Sequence, residues 1–140
     1  MSVAENKLYD IIPPELGASW VVSYLEGDQF SPSHVRILRD KAKTSDRTLS
    51  KLLNLAPKTF VSYTKDISKV KVDTKEHILM LISLIKHGAD VFGSEETFTQ
   101  WLETKNVFLD NRCPMDFLNT ISGIRMVDDR LTGMEYGDNL

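Results

Sequence analysis

Cysteine occurs once in these 140 residues, at Cys113, so no disulfide can form within the chain. A chain without crosslinks suits a reducing compartment, and a cytoplasmic location is expected. Histidine occurs three times, at His34, His77 and His87. None is spaced with Cys113 or with acids as metal ligands are, so no metal is expected. No glycine-rich phosphate loop follows a strand, no convincing strand is present, and no cofactor is expected. Long hydrophobic runs are missing too. The longest, Ile78 to Ile85, falls far short of the roughly 20 residues a membrane span needs. The first ten residues hold one lysine and two acids, unlike a signal peptide. Cys113 precedes a proline without an evident His or Asn partner, and Asp128-Asp129 reads as a solvated helix face. No catalytic residue is assigned, and the chain is not expected to be an enzyme.

What is present is enough apolar mass for a core, 41% of residues, and a charge that is strongly segregated. The net charge is −3. Residues 1–30 carry one base and five acids. Residues 31–75 carry eleven bases against four acids, a block of +7. Residues 76–87 balance, and residues 88–140 carry four bases against ten acids, a block of −6. A basic block inside an acidic chain points to a nucleic-acid face on one module and a different partner for the other; a solvated basic surface is the plainer alternative.

Residues 1–30 read as an N-terminal arm. Pro13-Pro14 stops any helix, and Trp20, Val21, Val22, Tyr24 and Leu25 form an apolar run ended by Gly27-Asp28. The arm either lies on the neighbouring core or reaches across to a second copy or a partner. Ser31-Pro32 opens a second module, 31–72, as cap and first helical residue. Val35, Leu38 and Ala42 form a helical stripe. Two short helices follow, about 49–54 and 57–65, broken at Leu55-Ala56-Pro57, the helix-turn-helix pattern. Residues 73–92 predict a long connecting helix with cap and box at Asp73 and Glu76. It is apolar nearly all round, which predicts cover on every side and pairing with a second copy, a homodimer.

Residues 93–140 predict a small helical bundle. Ser94 caps a helix with Glu95 and Glu96 in its first turn and Phe98, Trp101 and Leu102 on its apolar side. Asp110-Asn111 is a turn, and Pro114 opens another helix whose stripe is Phe117, Leu118 and Ile121, interrupted by Gly123. Met126, Val127, Arg130 and Leu131 lie on a last helix closed by Gly133 or Gly137. Trp101-Leu102, Leu109, Pro114 to Leu118, Thr120, Gly123, Val127, Leu131 and Tyr136-Gly137, in this order, resemble the toxin-binding domain of the Xre/MbcA/ParS family of bacterial antitoxins. One departure is visible: where that family has a glycine pair after Leu109, this chain has Asp110-Asn111. Residues 48–55 with Lys58-Thr59-Phe60 resemble the helix-turn-helix half of the same antitoxins.

The resemblance implies an all-α protein: an Xre-like helix-turn-helix module joined by a long apolar helix to a C-terminal toxin-binding domain. It implies a cognate RES-type toxin acting on NAD, whose substrate entrance the C-terminal domain covers, and operator DNA that the chain binds to repress its own operon. The second short helix becomes the recognition helix, with Phe60 and Thr64 inward. Lys51, Lys58, Thr59, Ser62, Tyr63 and Lys65 are then the candidates for DNA contact. This helix holds no arginine, and so lacks the bidentate guanine contact. Arg130, Glu135, Tyr136, Asp138, Asn139 and Leu140 are the candidates for toxin contact. A stand-alone dimeric transcription regulator, whose C-terminal bundle only dimerises, is the competing reading.

Overall fold

The computed structural model describes residues 1–137. Its regular structure is helical, with eight α-helices and no strand among the described residues. They are α1 (Val3–Ile11), α2 (Ala18–Glu26), α3 (Pro32–Lys41), α4 (Asp46–Leu52), α5 (Pro57–Tyr63), α6 (Val72–Phe92), α7 (Glu95–Leu102) and α8 (Ile121–Glu135). No helix among the described residues is long and apolar enough to cross a membrane. The all-α fold is as expected.

The apolar helix α6 is the axis of the molecule. Ile78, Leu79, Met80, Leu81, Ile82 and Leu84 are each at most 2% exposed. Burying one such side chain contributes about 1.5–3 kcal/mol, so cover on all sides is what stabilises this helix. The chain supplies that cover itself: α2, α3, α7 and α8 all pack on α6. The cover that the sequence predicts for α6 is thus present within one chain. The helix also starts one residue earlier than expected. Lys71 is the N-cap and Asp73 lies in the first turn, where its charge suits the helix dipole without capping.

The N-terminal arm is two helices laid on the chain's own core. Ser2 and Glu5 form a reciprocal capping box that starts α1. Glu5 then meets Arg36 of α3 at 2.6 Å, and the guanidinium holds its carboxyl below the usual range. Arg36 also donates to the Thr64 carbonyl at 2.5 Å, so one side chain ties α1, α3 and the end of α5 together. Further along, Ser83 donates to the Pro13 carbonyl at 2.5 Å and Lys86 to the Tyr9 carbonyl at 2.7 Å, which seats the break between α1 and α2 on α6.

α4 begins three residues before its expected start because Ser45 accepts from the Thr48 amide and caps it. It stops at Leu52, and Asn54 takes a left-handed conformation (φ 58°) that asparagine tolerates. The Leu55 amide then closes back on the Ser50 carbonyl at 2.8 Å. Phe60 and Thr64 point inward as expected, at 0% and 5% exposure.

The C-terminal stretch differs from its sequence reading at one joint. Pro114–Phe117 forms a 3-10 turn, and α8 begins only at Ile121, capped by Thr120. The helix expected to open at Pro114 is thus only this short turn with Leu118 as its C-cap, and Ile121 and Gly123 belong to the last helix. Gly123 explains the joint: a Cβ there would lie 1.7 Å from the Phe117 carbonyl oxygen, so only glycine lets the turn fold against the new helix. Gly88 plays the same part between α6 and α7, where the Phe98 ring occupies the space of a side chain. α8 then runs through Gly133 without closing there.

Candidate functional site

The turn after Leu109 forms without the glycine pair. Asp110 (φ 56°) and Asn111 (φ 60°) are both left-handed, and the Arg112 amide reaches the Leu109 carbonyl at 3.1 Å. Two consecutive positive φ values define the tight turn that Gly, Asn and Asp favour. Asn106 organises it from inside. Its buried side chain accepts from the Phe108 amide at 2.8 Å, and its backbone bridges Arg112. Only Leu109 of the 3-10 turn Val107–Leu109 can then point into the core. Val107 and Phe108 remain 73% and 53% exposed.

Phe108 is not idle at the surface. The Arg130 guanidinium carbon lies over its ring, 4.3 Å from the centroid. Met126, one turn before Arg130 on α8, is 38% exposed. An aromatic ring, an arginine on its face and a flexible thioether make the composition that protein interfaces favour. The sequence reading selected Arg130 and missed Val107, Phe108 and Met126. Their signal is the Asn-Val-Phe-Leu run, in which a turn this tight cannot bury three consecutive apolar residues.

Glu135 and Tyr136 lie elsewhere. Arg130 and Glu135 are five residues apart, roughly 140° around the helix axis, and the structure does not bring them together. Glu135 instead bounds a cleft of about 470 Å³ that also holds Glu15, Asp90, Asp128 and Tyr136, with His87 among its lining. His87 was expected on a helix surface or partly packed; it is 9% exposed. Its Nδ1 pairs with Asp128 at 2.5 Å and its Nε2 with Glu135. The hydrogen bond to Asp128, with support from Glu135 and against the cost of burial, pushes its pKa up to about 9. The imidazolium donates from both nitrogens and clamps α8 onto α6. Tyr136, 86% exposed, stands at the rim as the C-cap of α8. Asp138, Asn139 and Leu140 lie outside the described residues.

The other two histidines are structural. The His77 Nε2–H donates to the Leu118 carbonyl at 2.8 Å, and burial lowers its pKa. His34 accepts from the Ser31 amide and donates to Tyr24 at 2.6 Å, again with a pKa lowered by burial. Cys113, half-buried, donates to the Glu103 carbonyl at 3.3 Å.

On the basic side, Lys51, Lys58, Ser62 and Lys65 are exposed, while Thr59 and Tyr63 are half-buried. The Ser62 hydroxyl donates within its own helix, to the Thr59 carbonyl at 2.6 Å. The three lysines therefore offer the freest donors of the six.

With this geometry in view, residues 87–137 match the family model described as the antitoxin Xre/MbcA/ParS C-terminal toxin-binding domain. The match runs from His87, near the end of α6, through α7 and the Asp110-Asn111 turn to the close of α8. This segment is similar to the toxin-binding domain of such antitoxins, which supports an antitoxin role and a toxin as partner. No curated protein sequence matches the chain.

Proposed function

We propose that this chain is a non-catalytic antitoxin that neutralises a cognate RES-type, NAD-degrading toxin with its C-terminal domain, and that it binds operator DNA to repress its own operon. The observation that carries the reading is the match of residues 87–137 to a toxin-binding domain. Charge supports the finer part. A toxin pocket for an anionic dinucleotide is cationic, and a C-terminal block of −6 complements it. The toxin contacts are assigned to the shelf of Phe108, Met126 and Arg130 and to the cleft rim at Glu135 and Tyr136; Asp138, Asn139 and Leu140, outside the described residues, are assigned with them on the sequence alone.

The DNA part rests on α4 and α5 acting as a helix-turn-helix, with Lys58 and Lys65 on phosphates and Lys51 beside them. Co-expression with the product of the adjacent gene tests the toxin part. Cellular NAD should fall and growth should stop when that product is made alone, and both should recover with this chain. Persistent toxicity despite a soluble complex, or toxicity without NAD loss, refutes the respective part. A gel shift on the upstream DNA at two salt concentrations tests the DNA part.

A further inference from the structure

Two clefts flank the turn between α4 and α5, and Asn54 lines both. The first, about 640 Å³, runs between α4 and the 3-10 turn Pro114–Phe117. Its cations are Arg47 and Lys51 from α4 and Arg112 from the C-terminal region, against the single acid Asp116. The second, about 300 Å³, carries Lys69 and Lys71 against Asp73, and reaches Tyr63 at the end of α5. All five cations are exposed. Among the described residues no acid forms an ion pair with any of them. Arg112 is held in place by the Phe117 ring, 4.3 Å from its guanidinium carbon.

We propose that these clefts form a continuous phosphate track for double-stranded DNA, with Arg112 of the C-terminal region as one of its contacts. The inference rests on the DNA reading above and extends it beyond the recognition helix. The chemistry is that of backbone contact: ammonium and guanidinium groups without acid partners, spread along an open surface on both sides of a turn, with an amide at the joint. The five cations are spread over two clefts rather than gathered in one, which suits an extended polyanion. Arg112 lies within the matched toxin-binding segment, so a bound duplex touches both halves of the molecule.

The test uses the full chain and a fluorescein-labelled DNA duplex of mixed sequence, with anisotropy titrations at several salt concentrations. Removing one phosphate-binding cation lowers the slope of log affinity against log salt by about 0.9. Arg112→Gln should lower it by about 0.9 and Lys69→Gln with Lys71→Gln by roughly 1.8. Arg112→Lys should restore it, and Arg125→Gln, on exposed α8 surface, should leave it unchanged. Wild-type slopes for the Arg112 and Lys69/Lys71 variants, with a reduced slope for Lys58→Gln and Lys65→Gln, overturn the track and leave the DNA reading standing. No duplex binding by the unaltered chain overturns both. Preference for single-stranded RNA over the duplex overturns the assignment to DNA.

Discussion

The middle and the end of this chain both present charged helical surfaces, but the charges are held differently. Around α4 and α5 no acid among the described residues forms an ion pair with Lys51, Lys58 or Lys65. On α8, two of the acids are committed: Asp128 and Glu135 grip His87 from both ring nitrogens. The difference suits the two partners proposed. A polyanion is bound by many adaptable donors whose contribution fades with salt, whereas a folded protein needs a surface fixed in advance. On the proposed reading, the middle offers adaptable positive donors and the end a fixed acidic surface.

Substitutions can break that comparison, and the largest effect is expected at Gly123. Gly123→Ala drives a methyl into the Phe117 carbonyl, a backbone atom that cannot swing aside. A loss of about 3 kcal/mol is expected, the upper part of the range for overpacking. Urea unfolding measures it, and an unchanged midpoint would show that the joint before α8 is looser than described.

The His87 clamp comes next. A histidine whose pKa is raised on folding adds stability that is complete below its ordinary value of 6.5 and is lost as pH rises through about 9. The gain is on the order of 1–2 kcal/mol after discounting for solvent screening. The unaltered protein should therefore lose stability across that alkaline window. His87→Gln should start lower and change less there, in thermal melts across the series. Parallel curves for both proteins would remove the clamp from the account.

The smallest effect on folding sharpens the comparison most. Tyr136 is so exposed that Tyr136→Ala should change stability by less than about 0.5 kcal/mol, yet weaken toxin binding about tenfold or more if the rim is a contact. Calorimetric titration with purified toxin separates the two quantities.

Much of this architecture was legible in the residues. Periodicity located α3 and α7, a near-continuous apolar run located α6, Ser31-Pro32 and Ser94 marked helix starts, and the inward side of α5 was read at Phe60 and Thr64. What stayed hidden depended on contacts between distant segments. The carboxylate partners of His87 lie on α8, 41 and 48 residues further on. Nothing near His87 announces them. The start of α8 turns on a backbone carbonyl meeting Gly123, and the self-sufficiency of α6 on how four helices close around it. Arg130 and Glu135, neighbours in sequence, were separated by helix geometry alone.

Capture of the adjacent gene's product by two variants of this chain tests the division of labour most directly. Arg130→Glu with Tyr136→Ala should lose the toxin while still shifting DNA. Lys58→Gln with Lys65→Gln should keep the toxin and bind DNA more weakly. Loss of toxin capture by the lysine variant, with capture by the α8 variant intact, would contradict the account.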